Sequence, residues 1–229
     1  MEDTQIVNRK SKTANSLKAC IFDLDGVIVD TAVYHYQAWK KLANELGFDF
    51  TESDNEKLKG ISRVRSLELI LEWGGAEKSE ADKQLLATRK NDWYVEMISK
   101  MTPEEILPGA KEFLESIRKA GIRTALGSAS KNSALILKNT GLIDYFDAIV
   151  DGNMVTASKP DPEVFLTGAV ILGVPPESCV VLEDAIAGVE AAKAGGMKVV
   201  GVGSEEILKN ADLVVAGLHE LTLEQILKL

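Results

Sequence analysis

The chain has 229 residues, with 35 acidic side chains against 26 Lys and Arg and a formal net charge of -9. That balance excludes a protein that wraps nucleic acid, where a basic patch supplies most of the affinity, and it offers no polybasic membrane anchor. The apolar stretches, such as 169–172 and 179–182, are far too short to span a bilayer, and the length permits one large domain or two modest ones around a real core.

Residues 1–17 are polar, carry Arg9, Lys10 and Lys12, and hold no apolar run of the kind a secretory leader uses; the expectation is a flexible extension. Without residues 1–18 the body retains 22 basic against 33 acidic side chains, a net charge of -11, so the acidity belongs to the folded part. The two cysteines, Cys20 and Cys179, lie inside apolar runs and read as buried thiols of a reducing compartment, too few for a disulfide framework.

From Lys18 the pattern becomes regular. Residues 19–22 form a short apolar run closed by Asp23-Leu24-Asp25-Gly26, which reads as a buried parallel strand. Similar runs follow at 123–127, 148–150, 179–182, 198–202 and 213–215. Between them, 110–120, 132–140 and 185–194 have helical period and each stops at a glycine. Strand alternating with helix predicts an α/β fold: a Rossmann-like core whose parallel sheet is flanked by helices on both faces.

Residues 33–105 break the alternation. The stretches 34–46, 64–73 and 80–100 are helical by period and no strand candidate intervenes. The expectation is an all-α helical cap (33–105) inserted into a core made of 18–32 and 106–229, with hinges near 30–33 and 102–108. Thr222 and Gln225 are spaced as a capping box that starts a last helix.

The chemistry-bearing residues gather at predicted strand ends. Asp23 and Asp25 follow the first strand and share its carboxyl edge, where open α/β sheets bind ligands. One carboxylate there can act as a nucleophile and the second can move a proton. Ser128-Ala129-Ser130 follows the second strand, where a hydroxyl and free amides suit a phosphate. Lys159 lies in a loop, and Glu183-Asp184 closes another strand, where adjacent acids repel unless a hard cation such as Mg²⁺ joins them. Singly, each has a plain explanation as a turn, a helix cap or solvated charge. Jointly, acids plus Mg²⁺, a lysine and amide donors form a phosphate-transfer site.

Phe22-Asp23-Leu24-Asp25-Gly26-Val27, Gly127-Ser128-Ala129-Ser130, Lys159-Pro160 and Leu182-Glu183-Asp184 resemble, in order, the motifs of the haloacid dehalogenase superfamily. Asp30-Thr31-Ala32-Val33-Tyr34-His35, Leu58-Lys59-Gly60-Ile61-Ser62-Arg63 and Arg89-Lys90-Asn91-Asp92 resemble in particular its β-phosphoglucomutase branch. The resemblance implies a cytoplasmic, monomeric, Mg²⁺-dependent isomerase acting on a small phosphosugar. It would interconvert β-glucose 1-phosphate and glucose 6-phosphate through an aspartyl-phosphate, with a sugar bisphosphate as intermediate and activator.

It implies Asp23 as nucleophile, Asp25 as general acid and base, and Asp23, Asp25, Glu183 and Asp184 about the metal. Ser128, Ala129 and Lys159 would hold the transferring phosphate, and Arg63, Ser130, Lys131 and Asn132 the other one. Thr31 and His35 would couple cap closure to Asp25, and Lys59, Gly60 and Lys90 would meet the sugar or help close the cap. For His35, Lys59, Lys90 and Trp39, plain cap packing or solvated charge is the competing explanation. Ala185 departs from the pattern, since a hydroxyl residue is expected after the acid pair. The alternatives are a sugar-phosphate phosphatase with the same core chemistry and, from a different class, a phosphosugar-binding regulator without catalysis.

Overall fold

A computed structural model describes residues 17–229. The expected extension at 1–17 lies outside the described residues except for Leu17, which packs against the core instead. The strands are β1 (Ala19–Phe22), β2 (Arg123–Gly127), β3 (Ala148–Val150), β4 (Cys179–Glu183), β5 (Lys198–Val202) and β6 (Leu213–Val215). They form one 6-stranded sheet in the order β3-β2-β1-β4-β5-β6, with every pair parallel. The chain builds outward from β1 in one direction and then, from β4, in the other. The strand order therefore reverses between β1 and β4, and this is where an open α/β sheet leaves a crevice at its carboxyl edge.

The two faces of β1 pack into different cores. Cys20 and Phe22 join Phe113 and Ile117 of α5 (Ala110–Lys119) and Ile136 and Leu137 of α6 (Ser133–Asn139). Ala19 and Ile21 join Val164 and Phe165 of α7 (Glu163–Leu172) and Val189 and Ala192 of α8 (Ile186–Ala194). Alternate residues of a strand face opposite sides, so helices cover both faces of the sheet. Cys20 and Cys179 are free and buried in different clusters.

Between β1 and β2 lie α1 (Ala32–Glu45), α2 (Glu52–Glu56), α3 (Arg63–Trp73) and α4 (Glu80–Ile98), with no strand among them. They enclose a third core of Trp39, Leu42, Ala43, Phe50, Leu67, Ile70, Leu71 and Ala87. The segments entering and leaving this unit run side by side. Val29 bridges Ile106 antiparallel, the Asp30 amide donates to the Glu105 carbonyl at 3.3 Å, and the Leu107 amide donates to the Ile28 carbonyl at 3.0 Å.

Two helices exceed the sequence expectation. The five-residue α2 begins at a Thr51–Asp54 capping box and is too short to show a period. In α7 apolar residues occur on nearly all sides, with Val170 78% exposed, so no amphipathic stripe marks the helix. The last helix, α9 (Leu223–Leu227), starts at the expected Thr222–Gln225 capping box. No described helix is long and apolar enough to cross a membrane.

Candidate active site

The crevice between the sheet edge and the inserted helices is a cavity of about 500 Å³. Asp23 sits directly beyond β1. Its amide donates to the Leu182 carbonyl at 2.9 Å, which continues the ladder one residue and delivers the carboxylate to the edge. The chain then turns at Gly26, whose φ of +78° belongs to the left-handed region and whose missing side chain leaves room for the Asp184 carboxylate. The tight turn brings Val29 back alongside Asp25, to which it is bridged.

Lys159 arrives from the loop between β3 and α7. Its ammonium donates to Asp23 Oδ1 at 2.6 Å and to Glu183 Oε2 at 2.8 Å, with the Phe165 ring centroid 4.8 Å away. Burial alone would lower the lysine pKa, but the two carboxylates override it and hold the amine firmly cationic. The loop is itself pinned by Glu163, whose carboxylate accepts the amides of Thr156 and Ala157 at 2.9 and 2.6 Å. Glu163 belongs to no sequence motif. An acid in the first turn of a helix behind a Pro-containing loop was the available signal.

Asp23, Glu183 and Asp184 each present a carboxylate oxygen within 4.8 Å of the others. Burial, then the charge of Asp23, raises the Asp184 carboxyl to about 7, with Lys59 opposing. Burial pushes Glu183 up as well, with Lys159 opposing. Converging hard oxygens held in mutual repulsion fit a divalent cation of the Mg²⁺ type. Both Glu183 oxygens already have partners, since Oε1 accepts the Ala185 amide at 3.1 Å. Asp184 and Asp23 are therefore the freer ligands, and Glu183 orients Lys159. Lys59 lies 3.5 Å from Asp184 and 2.9 Å from Glu56, linking the inserted helices to the acid cluster. A Cβ on Gly60 would lie 3.4 Å from that of Ala185, so the two units are in contact here.

Burial first, then the neighbouring Asp23 charge, raises the Asp25 carboxyl to about 6, close to the range where a general acid or base works best. The Thr31 hydroxyl donates to Asp25 Oδ1. Beyond it, Lys90 is 2% exposed and donates to His35 Nδ1 at 2.9 Å, with Trp39 and Tyr94 rings at 4.4 and 4.8 Å. Burial, then Lys90 and Arg63, holds His35 well below its usual pKa, so it stays neutral and accepts. Lys90 is likewise pushed well down by burial and by Arg63.

Arg63 lies at the start of α3 and lines the cavity together with Ala129, Ser130, Lys131 and Asn132. Among the described residues Arg63 makes no ion pair, although it is largely removed from water, and burial lowers its pKa. The Ser130 amide donates to the Ser128 hydroxyl at 3.1 Å and the Asn132 amide to the Ser130 hydroxyl at 3.3 Å. The Asn132 carboxamide donates to Asn91 Oδ1 on α4 at 3.0 Å, a link between the two sides of the crevice that the sequence reading did not identify. Of the sequence-predicted residues, Asp23, Asp25, His35, Lys59, Gly60, Arg63, Lys90, Ala129, Ser130, Lys131, Asn132, Lys159 and Asp184 line the cavity. Thr31, Ser128 and Glu183 do not; they are 0%, 1% and 0% exposed and support residues that do.

A family model described as haloacid dehalogenase-like hydrolase matches residues 17–196. The chain belongs to this family. It is 49% identical over 210 residues to a β-phosphoglucomutase of Bacillus subtilis, covering 91% of this chain and 93% of that protein. A phosphorylated carbohydrates phosphatase of Thermotoga maritima is 32% identical over 184 residues, covering 80% of this chain and 83% of that one. Among solved structures, a β-phosphoglucomutase of Clostridium difficile superposes with a TM-score of 0.90 at 45% identity, covering 93% of this chain and 96% of that one. Proteins similar to this chain are thus named both as mutases and as phosphatases.

Proposed function

We propose that the protein is a β-phosphoglucomutase, interconverting β-glucose 1-phosphate and glucose 6-phosphate through an aspartyl-phosphate on Asp23 and a sugar bisphosphate. We further place it in the cytoplasm as a monomer whose helical unit, residues 33–105, moves as a cap on the hinges at 30–33 and 102–108. The observation that carries the reading is the half-buried, unpaired Arg63 beside Ser130, Lys131 and Asn132, in the same cavity as Asp23 and Lys159. A half-buried cation left without a carboxylate calls for an anion. A sugar carrying a phosphate at each end answers both sets of groups.

An Asp23 oxygen attacks the phosphorus of the bound bisphosphate while Lys159 orients it by its 2.6 Å contact with Oδ1. The phosphorus–oxygen bond to the sugar breaks, and Asp25 passes its proton to the departing sugar oxygen. In the return step Asp25 takes the proton from the hydroxyl of the incoming sugar phosphate, whose oxygen attacks the phosphoryl group on Asp23. Lys159 and the Ala129 amide hold the transferring phosphate, with the buried Ser128 hydroxyl fixing the turn behind them; Arg63, Ser130, Lys131 and Asn132 hold the other. Mg²⁺, held by Asp23, Asp184 and the Asp25 backbone with Glu183 in support, would spread the charge of the transferring group. Closure of the cap, with Lys59, Gly60 and Lys90 at its inner surface, keeps water from the aspartyl-phosphate.

The test is incubation with β-glucose 1-phosphate, Mg²⁺ and a trace of the bisphosphate. Glucose 6-phosphate should accumulate with little inorganic phosphate. Stoichiometric phosphate without glucose 6-phosphate would sink the reading in favour of a sugar-phosphate phosphatase.

A further inference from the structure

Among the described residues, the Tyr94 hydroxyl is the buried side-chain polar atom that has no hydrogen-bond partner. Tyr94 lies on α4 and is 1% exposed. Its ring packs on that of His35 with centroids 4.1 Å apart and 30° between planes, and Lys90 Nζ lies 4.8 Å from its centroid. Every part of this side chain except the hydroxyl is thus satisfied by packing. The Thr31 and Ser130 hydroxyls are its polar neighbours, and neither oxygen meets hydrogen-bonding geometry with it. The unpaired group therefore stands where the hinge, the acid–base carboxyl and the distal phosphate groups meet.

The Thr31 hydroxyl engages one Asp25 oxygen, Oδ1. When that oxygen turns to a sugar oxygen to give or take a proton, a second buried hydroxyl is left without a partner. Buried polar groups are nearly always paired, and one without a partner calls for a physical reason. We propose that Tyr94 is a positioning residue whose hydroxyl donates to Thr31 when Asp25 turns from Thr31 to the reacting sugar oxygen. The exchange leaves both hydroxyls paired in the working arrangement and so favours it over the resting one. An interaction made only in the working arrangement appears in kcat and not in KM.

The inference rests on the proposed use of Asp25, and the experiment separates the two. Tyr94→Phe, which keeps the ring and its stack, is compared with the full wild-type chain in Mg²⁺. Mutase kcat is expected to fall about tenfold with KM within about twofold of wild type, the size of one net hydrogen bond. Tm is expected to hold or rise, because the resting protein loses only an unpaired group. A lowered Tm with kcat retained, or a raised KM with kcat retained, would overturn the assignment in favour of a structural bond or a substrate contact. The double variant Tyr94→Phe/Thr31→Val should be no slower than Thr31→Val alone; losses that multiply would also overturn it. Wild-type product analysis decides the mutase reading separately. Should wild type release phosphate instead, the same ratios are read on that turnover, which uses Asp25 equally.

Discussion

Replacing Lys159 with methionine isolates the buried ion cluster, because methionine keeps most of the side-chain volume and removes the charge. Lys159 is 5% exposed, and its ammonium is shared between Asp23 at 2.6 Å and Glu183 at 2.8 Å, the latter 0% exposed. Removing one partner of a buried pair strands the other and typically costs about 3–5 kcal/mol. For a chain of this size each kcal/mol moves Tm by about 2–4 °C, so Lys159→Met should melt roughly 6–20 °C below wild type. The measurement is thermal unfolding in EDTA, which removes any contribution from a bound cation. Adding Glu183→Gln should restore at least half of the loss, since the stranded charge is then gone and only Asp23, nearer the cavity, remains. If the double variant instead melts below Lys159→Met by the full loss of Glu183→Gln alone, the two side chains are not coupled and the charge-cluster account is wrong.

Arg63→Ala should raise KM for the phosphosugars by about ten- to a hundredfold, the range of a charge-assisted hydrogen bond, with a far smaller effect on kcat; steady-state kinetics checks the split. Mg²⁺ should raise the Tm of the wild-type chain in a concentration-dependent way and should fail to do so for Asp184→Asn, read by thermal unfolding across a Mg²⁺ titration. The Asp25 carboxyl, raised from 3.8 to about 6 by burial and then by Asp23, binds more protons in the folded state than in the unfolded state between those values. Its contribution to stability is present below about pH 4 and is lost as pH rises through about 6. In EDTA, Asp25→Asn should therefore gain on wild type by up to about 3 kcal/mol between pH 4 and pH 7, and a pH-independent difference in urea midpoints would refute this.

Much of this architecture was readable from residue patterns because parallel strands buried on both faces are short apolar runs ended by turns. Residues 19–22, 123–127, 148–150, 198–202 and 213–215 are strands with those bounds. The fourth strand extends one residue further, to Glu183, since an acid paired with a buried lysine can occupy a position that hydropathy alone assigns to a loop. The strand-end acids, Lys159 and the Ser128–Ser130 turn were equally legible, because they sit at sequence boundaries and carry chemistry. What was not legible is what depends on tertiary partners. Asn91 reaches Asn132 across 41 positions of sequence, and Glu163 organises a loop through backbone amides. Tyr94 reads as one more aromatic on a helix until its surroundings are seen to offer its hydroxyl no partner. The resemblance places Lys90 at the sugar or the closing cap, but that it is buried against His35, Trp39 and Tyr94 is visible only in the fold.

The paired entry and exit of the helical unit have a consequence in polymer terms. Asp30 and Glu105 are joined by a backbone hydrogen bond, so more than seventy residues begin and end at almost one point of the core. A detour of that kind is a closed loop seen from the sheet, and closing a loop depends only weakly on its length. The strand order β3-β2-β1-β4-β5-β6 is indifferent to what the detour contains. Substituting residues 33–105 with a short Gly-Ser bridge, or with another unit whose ends meet as closely, leaves every strand pairing of the sheet available. The sheet edge carrying Asp23, Lys159 and Asp184 is thus an anchorage that does not depend on the shape of the inserted unit, with Arg63 and Lys59 belonging to that unit and the acid cluster to the sheet.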